Sequence, residues 1–133
     1  VNQKTMIRHW EEFEGGPNAV RNELHITLNR RCEILLGART VKELGEPEAA
    51  VLLFDRINHT IGIRQAHPRH PNAHPLHAKS RGRHRLIRAS EFCRHHKIRV
   101  TETVAFTTAE IGEHGILILD LRTTTNIGKV LKS

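Results

Sequence analysis

The stretch of sequence that decides the fold is LHITLNRRCEILLGARTVKELGEPEAAVLLFDRINHTIGIRQ, residues 24–65. It opens with alternating apolar and polar residues at 24–28, a pattern typical of a half-buried β-strand. The polar triplet at 29–31 predicts a turn, and the apolar run at 34–36 predicts a second short strand. The stretch therefore begins with two strands joined by a basic turn.

A short helix is predicted next, over residues 38–45. Val41 and Leu44 share one helical face, and Gly45 stands where a glycine commonly ends a helix. Two apolar segments around a polar turn then predict a β-hairpin over 49–64. The resulting order is strand, strand, helix, strand, strand.

The same order returns in the second half of the chain. A strand is predicted over 85–88, a helix over 89–96 and a hairpin over 103–119, at offsets of 51–55 residues from the first set. We interpret this as one unit used twice, with chance spacing of apolar segments as the alternative. The predicted fold class is mainly β with short helices (β+α), in which two β-β-α-β-β units form a barrel-like core. When the second set of elements is aligned with the first, an alignment we call the sequence overlay, Ile61 and Ile63 correspond to Ile116 and Ile118.

The segments outside these units are polar. Trp10 and Phe13 are three positions apart near the start, where they either cover a core or dock a partner. Prolines between residues 67 and 77 forbid a regular helix and predict an extended linker. The predicted division is an N-terminal arm at 1–22, a first unit at 23–66, a His/Pro-rich basic linker at 67–84, a second unit at 85–122 and a polar tail at 123–133.

Composition limits the class of protein. The chain has 133 residues, of which 38% are hydrophobic, enough for one small core. No apolar run has the length of a transmembrane helix, and the acidic start lacks the apolar segment of a secretory signal. Two cysteines are too few for a disulfide framework. We expect a cytoplasmic protein that does not enter a membrane.

The positive charge is concentrated in one half. Residues 1–66 contain 9 Lys and Arg against 9 Asp and Glu, whereas residues 67–133 contain 12 against 5. The whole net charge of +7 therefore lies in the second half, and it is densest between Lys79 and Arg99. Such a concentration is typical of a surface that binds a polyanion, with a solvated basic face as the alternative.

Arginines alternate along the predicted strand at the start of this basic region. Arg81, Arg83 and Arg85 would point to one side and His84 to the other, forming a row of guanidinium groups for phosphates. An edge-strand row that deters sheet-to-sheet aggregation is the alternative. The candidate nucleic-acid-binding residues are Arg30, Arg31, Lys79, Arg81, Arg83, Arg85 and Arg88.

The first unit resembles the AbrB/MazE/SpoVT class of swapped-hairpin domains. The resemblance rests on the first strand, the basic turn at Arg30-Arg31, the strand leading into a short helix that ends in Leu44-Gly45, and the hairpin from Val51 to Ile63. A pair of such units in one chain resembles the MraZ arrangement. The resemblance implies two swapped-hairpin-like units and a DNA-binding regulator or an antitoxin.

The predicted function is therefore DNA binding, as a transcriptional regulator without catalysis. An antitoxin-like module that docks an acidic protein partner is the alternative, and a nuclease is the least favoured. Half-barrels of this kind often interleave between chains, so a homodimer is expected.

No cofactor or catalytic group is predicted. The sequence lacks a nucleophile elbow, a phosphate-binding glycine loop and a His-Glu-x-x-His motif, and its carboxylates are scattered. Histidine clusters can bind metals, but the linker histidines have no neighbouring carboxylates to orient them, so no metal site is predicted. Cys93, beside Arg94, is either a reactive thiol or, as favoured here, a small core residue.

Overall fold

The structure is a computed structural model that describes residues 7–12, 24–79 and 82–127. It confirms a mainly β chain with short helices, and both helices lie where the sequence predicted them. No helix in these residues has the length and apolar content to cross a membrane. The α-helices are α1 (Ala38–Glu43) and α2 (Ser90–His96), and a short 3₁₀ helix covers Glu113–Gly115. The strands are β1 (Ile26–Leu28), β2 (Glu33–Leu36), β3 (Ala49–Asp55), β4 (Thr60–Ala66), β5 (Ala73–Pro75), β6 (His77–Lys79), β7 (His84–Arg88), β8 (Val104–Phe106), β9 (Glu110–Ile111), β10 (Leu117–Asp120) and β11 (Thr124–Asn126).

The strands form two antiparallel sheets around one apolar core. The six-stranded sheet has the order β11-β8-β1-β2-β7-β6, and the five-stranded sheet has the order β5-β3-β4-β10-β9. Within the described residues the sheets do not close into a barrel, which corrects the expected barrel-like core. The strands at the two ends of the larger sheet, β6 and β11, have three residues each and pair with one neighbour only. The fully buried core side chains include Ile26, Leu28, Ile34, Leu36, Ile61, Ile63, Ile87, Leu117 and Leu119.

Strands that are equivalent in the two predicted units pair antiparallel to each other. In the pairing of β2 with β7, Leu35 lies opposite Leu86, its counterpart at an offset of 51. In the pairing of β4 with β10, Gly62 lies opposite Ile118. The buried partners of Ile61 and Ile63 are Leu119 and Leu117, so the sequence overlay on Ile116 and Ile118 was wrong by one position. An apolar run shows where a strand lies but not which of its faces is buried.

The predicted second hairpin, over 103–119, is wrong in its pairing. β8 pairs with β1 and β11 in the larger sheet, whereas β9 pairs with β10 in the smaller one. The chain turns between them, where the Thr107 N–H donates to the Thr123 carbonyl at 2.9 Å. The sequence predicts a strand at 103–106 that pairs with a strand at 115–119 across a turn at 110–114, whereas the chain passes from one sheet to the other between β8 and β9.

The region predicted to be a linker contains regular structure. β5 pairs with β3, β6 pairs with β7, and between them the Leu76 N–H donates to the Glu48 carbonyl at 2.9 Å. Pro75 is tolerated because β5 is an edge strand, where a missing N–H costs no ladder hydrogen bond. Part of the predicted tail is also ordered, since β11 lies at 124–126.

Candidate nucleic-acid interface

The antiparallel pairing of β2 and β7 brings the turn of one unit against the helix of the other. Glu33, at the start of β2, lies opposite Arg88 at the end of β7. The ladder continues for one more bond, in which the Ala89 N–H donates to the Cys32 carbonyl at 2.9 Å. Because α2 begins directly after Ala89, the turn that precedes β2 packs beside α2.

A cavity of about 610 Å³ lies between this turn and this helix, and we call it the basic pocket. Among the described residues its lining includes five cationic side chains and no carboxylate. Arg94 pairs with Glu91 at 2.9 Å, whereas the other four cations have no carboxylate within ion-pair distance in that part of the chain. The lining residues are Arg30, Arg31, Cys32, Ser90, Cys93, Arg94, Lys97, Ile98 and Arg99.

The turn that carries Arg30 and Arg31 is held by Asn29. The Asn29 side-chain oxygen accepts hydrogen bonds from the backbone N–H groups of Arg31 at 2.9 Å and Glu33 at 3.0 Å. The Asn29 amide also donates to the Glu33 carboxylate at 2.9 Å. Glu33, the acidic residue nearest in sequence to Arg30 and Arg31, is therefore hydrogen-bonded to the Asn29 amide. The two arginines lie on a turn whose backbone Asn29 fixes.

Lys97 enters the pocket from the end of α2. Its backbone is left-handed, with φ of 57°, and the Ile98 N–H donates to the Cys93 carbonyl at 2.8 Å to close the helix. Glycine is the usual residue in this conformation, since a side chain there is strained. The fold thus tolerates a costly backbone conformation at a residue that contributes a cation to the pocket.

A second pocket, which we call the mirror pocket, lies beside the other helix. It has a volume of about 600 Å³ and lies between α1 and the turn that precedes β7. Its lining contains four cationic residues but also two carboxylates, and Arg39 pairs with Glu43 at 3.4 Å. The lining residues are Ala38, Arg39, Val41, Lys42, Glu43, Glu46, Gly82, Arg83 and Arg85.

The structure divides the predicted site residues between these places. Arg30 and Arg31 lie in the basic pocket, and Arg83 and Arg85 lie in the mirror pocket. Arg81 lies outside the described residues. The remaining two, Lys79 and Arg88, are exposed on strands and line neither pocket.

The expected arginine row is not a continuous exposed strand surface. Arg83 belongs to the turn before β7. Arg85 lies opposite Leu36, and on β7 it shares a face with Ile87, which is fully buried. Its guanidinium donates to the backbone carbonyls of Gly82 and, at 3.0 Å, His84. Part of the hydrogen-bonding capacity of the Arg85 guanidinium is therefore already used by backbone carbonyls of the protein.

Sequence reasoning missed Arg94, Lys97 and Arg99 as members of the site. The sequence places them in the basic region at 79–99, but it does not show that they share one cavity with Arg30 and Arg31. The connection depends on the register of β2 against β7, a long-range pairing. The repeat itself was the available signal, because an antiparallel pair of equivalent strands places each turn beside the other unit's helix.

The face of α2 away from the pocket carries aromatic rings. His96 packs against Phe54, with ring centroids 4.6 Å apart, and against Phe92 at 4.8 Å. Burial lowers the pKa of His96, and the nearby His95 and Arg56 lower it further. The neutral imidazole is therefore favoured in the folded protein.

The linker histidines have local roles in the backbone turn. The Nδ1 atoms of His67 and His70 accept hydrogen bonds from the N–H groups of Arg69 at 3.1 Å and Asn72 at 3.0 Å. Among the described residues, no group of three or more His, Cys, Asp or Glu side chains is arranged to hold a metal ion.

Comparisons with known proteins do not identify this chain: no family model, no curated protein and no solved structure matches it.

Proposed function

We propose that the chain binds DNA through the basic pocket, as a regulator built from two swapped-hairpin-like units and acting without catalysis. The observation that carries this proposal is the group of four cations without an ion-pair partner in the described residues: Arg30, Arg31, Lys97 and Arg99. They come from both predicted units and converge on a cavity that no carboxylate of residues 7–12, 24–79 or 82–127 lines.

The chemistry of these groups suits the phosphate backbone. A guanidinium donates two parallel hydrogen bonds to phosphate oxygens, and a lysine ammonium supplies a point charge. The turn that carries the two arginines is fixed by Asn29, so less conformational entropy is lost when they bind. Arg83, Lys79 and Arg88 are exposed cations outside this pocket, and we propose that they add weaker contacts along the same polyanion.

A salt titration tests the proposal. Fluorescence anisotropy is measured with a labelled duplex of about two helical turns at several salt concentrations. Each phosphate contact contributes about −0.9 to the slope of log affinity against log salt, so four cations predict a slope of about −3 to −4. An absence of binding at ~50 mM salt, where the electrostatic attraction is strong, rejects DNA binding.

A matched pair of variants locates the surface. Lys97→Ala/Arg99→Ala removes two pocket cations, whereas Arg64→Ala/Arg69→Ala removes two exposed arginines outside both pockets. The first variant is expected to flatten the slope by roughly 2, and the second by less than about 1. Equal losses in the two variants point to a diffuse charge effect rather than to this pocket.

A protein-interaction module that forms a homodimer is the second candidate. The observation that favours it is an apolar cavity of about 530 Å³ on the outer face of the five-stranded sheet, where Leu53, Ile116 and Ile118 surround Gly62. A Cβ on Gly62 would lie 3.0 Å from Ile116 Cγ2, so this face accepts no larger residue there without a shift. Apolar faces of this kind are typical of protein contacts, and a homodimer would use one. Sedimentation at micromolar concentrations tests this, because a mass of 15.2 kDa throughout rejects the homodimer.

A further inference from the structure

The chain has two cysteines, and the fold brings both to the floor of the basic pocket. Cys32 is joined to Ala89 by the last bond of the β2–β7 ladder, at 2.9 Å. Cys93 lies one helical turn after Ala89, and its N–H donates to the Ala89 carbonyl at 2.9 Å. Ala89 thus positions the two thiols beside each other, although the residues belong to different units.

The two thiols differ in exposure. Cys93 is 2% exposed, whereas Cys32 is half-buried in the pocket wall. Burial and a hydrogen bond with the Cys32 thiol raise the pKa of Cys93 to about 12, so Cys93 stays protonated at neutral pH. Cys32 is therefore the thiol that a small molecule entering the pocket meets first.

The backbone at Cys32 supports a role beyond filling space. Its φ is 61°, a left-handed conformation that is uncommon for residues other than glycine. In the turn before β7 the left-handed residue is Gly82, with φ of 97°, which the offset of 51 aligns with Arg31 rather than with Cys32. Cys32 therefore holds its left-handed conformation at a conformational cost.

We infer that Cys32 and Cys93 form a modification site, a dithiol that hydroperoxides oxidise to an intramolecular disulfide. The Cys32 sulfur attacks the terminal oxygen of the hydroperoxide, the O–O bond breaks, and an alcohol or water leaves. The Cys93 thiol then transfers its proton to the hydroxyl of the Cys32 sulfenic acid while its sulfur attacks the Cys32 sulfur, so that the S–S bond forms, the S–O bond breaks and water leaves. The two thiols lose two electrons and two protons, and the hydroperoxide is reduced.

The consequence of this bond is local. It joins the turn that carries Arg30 and Arg31 to the helix that carries Arg94, and so fixes the width of the basic pocket. The disulfide chemistry depends on the thiols alone and not on nucleic-acid binding.

Intact-protein mass spectrometry tests the inference. The reduced protein is treated with hydrogen peroxide and then with N-ethylmaleimide, which labels the remaining thiols. We expect a monomer that has lost two hydrogen atoms and carries no maleimide, and that regains two labelled thiols after treatment with dithiothreitol. Two maleimide adducts after peroxide, or a disulfide-linked dimer as the main product, would overturn the inference.

Two variants establish the order of the steps. In Cys93→Ser, Cys32 is expected to stop at the sulfenic acid, which dimedone traps. In Cys32→Ser, Cys93 is expected to remain a free thiol under the same treatment, and rapid oxidation of Cys93 there contradicts the assigned order. Arg64→Ala/Arg69→Ala, which lies outside both pockets, is expected to form the disulfide as the parent does. The mass measurement contains no nucleic acid, so failure of DNA binding leaves the result for the thiols unchanged.

Discussion

The basic pocket and the mirror pocket occupy equivalent places in the two units, but their residues differ. Each lies between a turn that precedes a central strand and the other unit's helix, and their volumes are about 610 and 600 Å³. The mirror pocket contains Glu43 and Glu46, whereas no carboxylate lines the basic pocket in the described residues. The comparison teaches that two cavities of similar size and position differ in side-chain chemistry, and the cationic lining of the basic pocket is what supports the proposal that it binds phosphate.

The helix ends show the same contrast at one backbone position. Glu46 N–H donates to the Val41 carbonyl at 2.9 Å after α1, and Ile98 N–H donates to the Cys93 carbonyl at 2.8 Å after α2. The left-handed residues are Gly45 and Glu46 after α1 and Lys97 after α2. At the position equivalent to Gly45, Lys97 therefore holds a conformation that costs a residue with a side chain more than it costs glycine.

The strongest test of the comparison removes two arginines from either pocket. Arg30→Ala/Arg31→Ala is expected to weaken duplex binding about tenfold or more and to flatten the salt slope by roughly 2. Arg83→Ala/Arg85→Ala is expected to flatten it by about 1 or less, because Arg85 already donates to the backbone carbonyls of Gly82 and His84. Anisotropy titrations at matched salt concentrations measure both, and a larger loss in the second variant would reverse the assignment of the two pockets.

A smaller effect is expected from giving the mirror pocket the charge of the basic one. Glu43→Gln/Glu46→Lys removes both carboxylates and adds one cation to its lining. Binding is expected to tighten by roughly tenfold, with a salt slope steeper by about 1, since one more phosphate is neutralised. Glu110→Gln/Glu113→Lys makes the same charge change outside both pockets and serves as the control. Equal tightening in the two variants would show that total charge alone controls affinity.

Local features of the sequence explain how much of the fold and of the basic pocket could be predicted. α1 was predictable because Gly45 ends it within a few residues, and the β3–β4 hairpin because its two apolar strands flank a short turn. β6 was missed because His77-Ala78-Lys79 has no β-branched or aromatic residue and follows Pro75. The basic pocket was only half predicted, since the convergence of its two sides depends on pairing between residues far apart in sequence.

Exchanging the residue types at the two helix ends tests the comparison through the free energy of unfolding. Lys97→Gly is expected to raise the free energy of unfolding by about 1 kcal/mol, because glycine adopts the left-handed conformation without strain. Gly45→Lys is expected to lower it by about the same amount, and a Cβ there would meet only ordinary contacts with Gln65. Urea unfolding measures both changes. Lys97→Gly is also expected to weaken DNA binding, so a variant that gains stability and retains full affinity would remove Lys97 from the site.

The smallest expected effect concerns His96, the last residue of α2. The equivalent position, directly after α1, is the buried Leu44. The pKa of His96 is lowered by burial and by the charges of His95 and Arg56, so below pH ~6.5 the unfolded chain binds protons more readily than the folded one. The contribution of the neutral ring is therefore complete above this pH and is lost as the pH falls below it. His96→Leu is expected to show a smaller decrease in melting temperature between pH 7.5 and 5.5 than the parent. His9→Leu, at an exposed position, provides the control, and parallel curves for parent and His96→Leu would show that this ring does not couple folding to pH.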